Sequence, residues 1–335
     1  MKARGRIALA AIALALLALP RLGQEYYTIL MLSFFAYGTA LLGVNLLFGS
    51  TGLVSFGHAF FLGIGAYSAA VLTGKLGITS MEAILGVAAA AALLVAAPVG
   101  ALCVRYVKIY FGMLTLAFGM LFYSFLIKFY HLTGGDEGMR VLRPSLLGLD
   151  LSAMPKVQFL VGPYYYFSLA VLAIATGVMW RIVASPFGLC LKSIRENPIK
   201  AESLGISVKR YRWYAFLISA AYAAVGGALL GPTTGQVDPA LVYWTQSGNL
   251  VLMTLLGGFA HFGGPLLGAF VFIFLQDWVM SVVPYWRLIF GAILAAIVIF
   301  VPGGLIGLLS GGGVRPGMKA ATAPNKAKAA PEGAG

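Results

Sequence analysis

The sequence predicts an all-α polytopic membrane protein of about ten transmembrane or half-membrane helices, with both termini cytoplasmic. Three observations predict it. Of 335 residues, 60% are hydrophobic and 10% are charged, against roughly 25% charged in a soluble domain. A water-soluble globule would have to show the excess as large apolar patches, which excludes an ordinary cytosolic enzyme. A spanning helix takes about 20 apolar residues, so the apolar content suffices for about ten. The 43 glycines are nearly double the usual share of about 7%, and membrane helices use glycine to bring backbones together.

Hydropathy places the spans near 7–20, 26–48, 55–74, 81–104, 110–130, 158–182, 213–231, 246–258, 265–283 and 287–309. With the N-terminus inside, 16 of the 23 Lys and Arg residues fall on the inner side and 7 on the outer. Basic residues accumulate in cytoplasmic loops. The net charge of +13 therefore reads as topology in a lipid-embedded chain, and nucleic acid is not an expected partner.

The elements follow in order. Ile7 to Pro20 is short and follows Lys2, Arg4 and Arg6. A retained span is expected there, because Leu19-Pro20-Arg21 makes a poor signal-peptide cleavage site. Cleavage would leave the orientation of the rest unchanged. The stretch 55–74 carries Gly57, Gly63, Gly65 and Gly74 and reads as a span or as a half-helix lining a cavity. The loop 131–157, expected outside, holds Gly134, Gly135, Gly138, Pro144 and Pro155. The stretch 246–258 is too short to cross straight and reads as re-entrant or broken, buried in protein. Asp277 lies inside a span about six residues from its outer end, where a hydrogen-bonded interfacial place is expected ahead of a substrate or proton role. Residues 1–310 form the membrane domain, and 311–335, rich in Gly, Ala, Pro and Lys, read as a disordered cytoplasmic tail. Cys103 and Cys190 fall at cytoplasmic edges, where a disulfide is not expected. His58, His131 and His261 are scattered, and no metal or catalytic constellation is predicted.

The inner loop, 184–212, is the most informative polar stretch. From Arg181 to Arg212 it carries seven basic residues and two acidic ones, Glu196 and Glu202. A helix-like run from Leu191 to Glu196 comes first. Pro198 then permits a new helix start, continued by Ala201, Leu204 and Gly205. Two short helices split by a proline can carry force from a cytosolic partner.

These residues also carry a resemblance. The stretch Ser185 to Gly231 resembles the permease subunits of bacterial ABC importers for branched-chain amino acids. In that family the equivalent loop docks into a cleft of the ATPase. Ala201 and Gly205 look like a loose form of the importer motif, with Ile199 where its leading glutamate usually stands. Gly52 to Tyr67 is similar to the family's glycine-rich segment, with His58 inside it. Thr133 to Met139 resembles its outer Thr-Gly-Gly stretch, and Gly257 to Phe270 and Pro302 to Leu309 look like further segments. The extra N-terminal span and the Thr-Gly-Gly loop resemble the M-type subunit (LivM) rather than the shorter H type.

The resemblance implies a multi-pass permease of the bacterial inner membrane. It would carry Leu, Ile or Val, with urea or short amides as the nearest alternatives. Its implied partners are a homologous second permease, two cytosolic ATPases and a periplasmic binding protein. Arg195, Glu196, Ala201, Glu202 and Gly205 would then form the ATPase-coupling loop. Gly57, His58, Gly63, Gly65, Gly257, Gly258, Gly263 and Gly264 are expected along the translocation path or at helix breaks. Gly134, Gly135, Asp136 and Glu137 are expected to meet the binding protein.

Two motifs are distractors. Leu309 to Gly313 imitates the ATPase signature but follows a membrane helix. Gly74-Lys75 lacks the first glycine of a Walker A loop, where Ala69 stands, and its final Ser or Thr, where Leu76 stands. The chain is therefore expected to be no enzyme and to hold no cofactor, the ATP being bound by its partners. The rival class is a self-sufficient secondary transporter, which needs intramembrane ionisable groups. Asp277, and Lys128 near a span end, are what this chain offers.

Overall fold

The computed structural model describes residues 14–149, 151, 154–301 and 303–309. The first half of the span expected at 7–20, and the whole tail expected at 311–335, lie outside the described residues. In chain order the main helices among the described residues, leaving out the single turn Tyr130–Thr133 and the helical stretch 14–18, are α1 (Glu25–Thr51), α2 (His58–Gly74), α3 (Met81–Cys103), α4 (Ile109–Lys128), α5 (Lys156–Ala184), α6 (Pro186–Glu196), α7 (Pro198–Ser203), α8 (Val208–Thr234), α9 (Trp244–Gly257), α10 (Gly264–Val282), α11 (Trp286–Phe300) and α12 (Gly304–Leu309). Six of them, α1, α3, α4, α5, α8 and α10, are long and apolar enough to cross a membrane, while α2 and α11 are shorter apolar helices. A two-stranded antiparallel pair, β1 (Met139–Arg140) and β2 (Gln236–Val237), joins Met139 to Val237 and Arg140 to Gln236. The molecule thus has a β end, and an opposite end that carries α6 and α7.

Most spans lie within a few residues of their expected places. Two differ. The helix expected at 213–231 begins earlier, at Val208, because Val208 packs with Ile194 and Ala201 beneath the bundle while Lys209 and Arg210 stay exposed. The span expected at 287–309 is not continuous. α11 stops at Phe300, and Gly304, at φ +68°, turns the chain into α12. A Cβ at Gly304 would overlap the backbone of Gly258, so this turn needs glycine for its angle and for its neighbour.

α1 and α8 form the centre. In their most apolar stretches 72% and 67% of residues are buried, against 17% in α5 at the periphery. Small residues explain the close centre: Ala220, Ala223, Ala224, Gly226, Gly227 and Ala228 of α8 are all buried. Dispersion replaces the hydrophobic effect between helices in lipid, and it favours backbones that approach closely.

Two units of the chain are built alike and run in opposite directions. α1 and α8 each have 27 residues. Each ends on a threonine followed by a left-handed glycine, Gly52 at φ +75° and Gly235 at φ +77°, the usual glycine stop of a helix. Each is then followed by a non-helical or 3₁₀ stretch and a shorter helix, α2 or α9. Gly43 and Gly226 stand at the same spacing before the two stops, and each is where the other long helix crosses. A Cβ on Gly43 would lie 2.7 Å from the Ser219 carbonyl oxygen, and one on Gly226 would lie 2.5 Å from that of Ala36.

Candidate functional site

α9 does not cross the bundle. After β2 the chain descends through a 3₁₀ turn, Pro239–Val242, whose Val242 side chain fills the space a Cβ would take at Gly63. Gly63 lies about eleven residues, or roughly 16 Å along the helix axis, from the β end of α2 at Gly74. α9 therefore starts near mid-depth. At roughly 1.5 Å per residue its 14 residues make about 21 Å, short of the ~30 Å hydrocarbon core. It ends at the α6–α7 end, where Phe259 stacks on Phe48 of α1, centroids 4.7 Å apart. The short helix expected at 246–258 is this half-helix.

Its first turns carry polar groups. The Gln246 Nε2 donates to the Tyr37 hydroxyl at 2.8 Å, and the Asn249 Nδ2 donates to the Gln246 Oε1 at 3.2 Å. Tyr37 sits near the middle of α1. All three residues are half-buried, and Thr245 beside them is exposed. Among the described residues this leaves the Tyr37 O–H proton and the Asn249 carbonyl oxygen for a further partner. Polar groups at this depth face protein or a water-filled path, because lipid cannot satisfy them. Sequence reasoning missed the trio. Gln246 and Asn249 are three apart on a helix and so share a face, and that was the signal.

α2 begins with a matching contact that is closed. His58 Nε2 lies 2.6 Å from Ser219 Oγ of α8, and both residues are fully buried. His58 edges against Phe61 and Phe216. The structure thus places His58 in packing. The neighbouring glycines are filled in the same way. A Cβ at Gly57 would overlap the Thr115 carbonyl, and one at Gly65 the Ala224 carbonyl. Gly257 and Gly264 face each other's backbone at the α9–α10 break, where Gly258 takes φ +102°. Gly263 meets only the tip of Ile306, at 3.6 Å. These glycines bring helices and turns of this chain together.

At the opposite end, α6 and α7 are the two short helices expected around Pro198. Asn197 caps α7 by accepting from the Lys200 N–H at 3.0 Å. Ala201 is buried with Ile194 and Val208 in a small core of their own. Gly205 is exposed, at φ +85°, with open space around it, so it serves the turn into α8. Glu196 and Glu202 are exposed, as are Lys192 and Lys200. The outward surface also shows Leu189, Ile199 and Leu204, the last two 78% and 80% exposed; the sequence had not singled these out as contacts. Arg195 behaves differently from its neighbours. Its guanidinium donates to the Gly49 carbonyl of α1 and lies 5.2 Å over the Phe259 ring. A cavity of about 790 Å³ opens between the ends of α1 and α5, α6 and the α9–α10 turn, with Asn45, Lys192, Arg195 and His261 among its lining.

At the β end, Gly134, Gly135 and Gly138 all take positive φ and fold Thr133 to Met139 into a compact turn. The Gln236 Nε2 holds it by donating to the Glu137 carbonyl at 2.6 Å, and Lys75 donates to the carbonyls of His131 and Leu132 at 3.0 and 2.9 Å. The carboxylates of Asp136 and Glu137 stay exposed. Asp277 accepts from the Tyr26 hydroxyl at the start of α1.

The chain matches the family model described as "Branched-chain amino acid transport system / permease component" over residues 26–301. It is similar to the high-affinity branched-chain amino acid transport system permease protein LivM of Escherichia coli, at 29% identity, and to that of Salmonella typhimurium, at 28%. Both matches cover 79% of this chain and 66% of the relative, so the chain spans just under two thirds of their length. It is also 29% identical to the guanosine ABC transporter permease protein NupQ of Bacillus subtilis, over 38% of this chain and 39% of the relative. No solved structure matches the chain.

Proposed function

The chain belongs to the permease-component family of branched-chain amino acid transport systems, and from that premise we propose that it is one of two transmembrane permeases of a bacterial ABC importer. The observation that carries the reading is the α6–α7 pair. A proline-split helix pair with its own small core presents exposed Ile199 and Leu204 within a field of lysines and arginines. Apolar side chains ringed by charge suit a protein partner. This end faces the cytosol, following the basic residues, and two ATPases bind the second permease and this one. The β end faces a periplasmic binding protein, which meets Asp136 and Glu137. Ten crossings or half-crossings, with both termini inside, complete the topology.

The cargo is Leu, Ile or Val. The path runs over Tyr37, Gln246 and Asn249, between this chain and the second permease. Alternating access follows from ATP-driven closure of the ATPases, which favours one of two arrangements of the permease pair. Urea, short amides and nucleosides are the competing cargoes, the last because of the partial match to NupQ.

Reconstitution tests the reading. The chain is placed in liposomes with the second permease, ATPases and binding protein of its own organism, and uptake of labelled leucine is competed with isoleucine, valine, urea, acetamide and guanosine. ATP-dependent uptake displaced by isoleucine and valine is expected. Uptake by the chain alone, driven by an ion gradient, would establish the secondary-transporter alternative instead. Replacing Ile199 and Leu204 together by Asp is expected to abolish co-purification of the ATPases while the permease remains folded.

A further inference from the structure

Resting on the importer reading, we propose that Arg195 is a positioning residue that hands the movement of α6 to the half-helix α9, through Gly49 and Phe259. The sequence placed Arg195 on the ATPase contact. The structure turns it the other way. Its neighbours Lys192 and Glu196 are exposed, whereas Arg195 is half-buried beneath the bundle.

Three elements meet at its guanidinium. One N–H is donated to the Gly49 carbonyl, in the π turn that closes α1. Its central carbon lies over the ring of Phe259, just beyond the end of α9. Phe259 in turn stacks on Phe48 at an interplanar angle of 21°. The stem of Arg195 passes Gly52, where a Cβ would stand 3.3 Å from its Cγ. A guanidinium suits this place because it can donate in its plane and stack on its face at once. An ammonium donates but presents no face.

The geometry makes α9 a lever. A helix is stiff along its axis, and α9 joins α10 through Gly257 and Gly258, the latter at φ +102°. Gly257, Gly264 and Gly304 crowd this turn, so it has few arrangements available. Displacing α6 moves Arg195, and with it the Phe259 ring. The other end of the same helix carries Gln246 and Asn249 at mid-depth. A movement beginning at the ATPase thus reaches the polar face through one rigid element.

The complete reconstituted complex provides the test, with Arg195→Lys, Arg195→Ala, Phe259→Leu and the double variant Arg195→Ala/Phe259→Leu. Retention of the ATPases, ATP hydrolysis and cargo moved per ATP are measured on each. The expected result is normal ATPase retention in all four. In Arg195→Ala and Phe259→Leu hydrolysis continues but ceases to respond to loaded binding protein, and cargo per ATP falls at least tenfold. Arg195→Lys falls between these and the wild type. The double variant is no worse than either single one, as for two residues in one linkage. Unchanged cargo per ATP in Phe259→Leu would overturn the proposal. So would loss of the ATPases from Arg195→Ala, which would put Arg195 on the docking surface. If Arg195→Ala fails to fold, Phe259→Leu, which leaves the hydrogen bond in place, decides alone. A wild-type complex that never retains ATPases would instead defeat the importer reading itself.

Discussion

The unit α1–α2 and the unit α8–α9 invite comparison because they share a plan and differ in one respect. In both, a short helix opens by reaching a polar group in the middle of the opposite long helix. At α2 the contact is His58 with Ser219, fully buried. At α9 it is Gln246 with Tyr37, half-buried, with Asn249 attached. The same plan, at different positions along the two short helices, therefore yields a closed polar contact in one unit and an open one in the other. Inverted units of this kind, meeting near mid-depth, are how many transporters place a site between two access states. In the proposed importer the closed unit would hold the bundle together, and the open unit would border the path.

The largest expected effect comes from a pair of glycines at the same spacing after the two helix stops. Gly65 of α2 faces the Ala224 carbonyl so closely that a Cβ would overlap it, whereas Gly248 of α9 has nothing within 4 Å. Backbone cannot yield as a side-chain tip can. Gly65→Ala is expected to cost at least the ~1–3 kcal/mol of ordinary overpacking, leaving little monodisperse protein after extraction. Gly248→Ala should give wild-type yield. Equal yields from the two would break the comparison at its base.

The next pair separates stability from transport. Ser219→Ala leaves His58 Nε2 buried without its partner, at a cost of about 1–3 kcal/mol. Its thermal midpoint should drop while uptake per folded molecule stays near wild type. Gln246→Leu should melt close to wild type but lose at least tenfold in uptake, because an apolar group replaces the polar face. A reversal, with Ser219→Ala abolishing uptake in folded protein, would put the path on the other unit.

Much of this plan was legible beforehand. The apolar runs gave the long helices, the proline at 198 split the inner loop, and the shortness of 246–258 gave the half-helix. What escaped was which glycines meet a neighbour and which meet open space. Gly57 and Gly65 look like path residues in a linear reading, yet they are filled by Thr115 and Ala224, residues far along the chain. Arg195 escaped for a related reason. A basic residue in a basic loop looks solvated, and its turn inward depends on Phe259, which a loop-by-loop reading never places beside it. The break after Phe300 was missed because the hydropathy of 287–309 stays high through the turn.

The smallest expected effects sharpen the likeness between the units. Gly52→Ala and Gly235→Ala each force an L side chain into the left-handed region, at about 1–2 kcal/mol. Both should lower the thermal midpoint modestly and by similar amounts. Gly52→Ala should in addition reduce cargo per ATP slightly, because its Cβ presses on the Arg195 stem. A drop in cargo per ATP for Gly235→Ala alone would reverse the assignment of roles.

Solvent access at mid-depth separates the open unit from the closed one. With Cys103→Ala and Cys190→Ala as background, a single cysteine is introduced as Asn249→Cys or as Ser219→Cys. The reconstituted complex is then treated with a membrane-impermeant thiol reagent from each side, with and without ATP. The cysteine replacing Asn249 is expected to react, at a rate that shifts with ATP, while the one replacing Ser219 is expected not to react in folded protein. Equal protection of both cysteines, or faster reaction of the one replacing Ser219, would contradict that distinction.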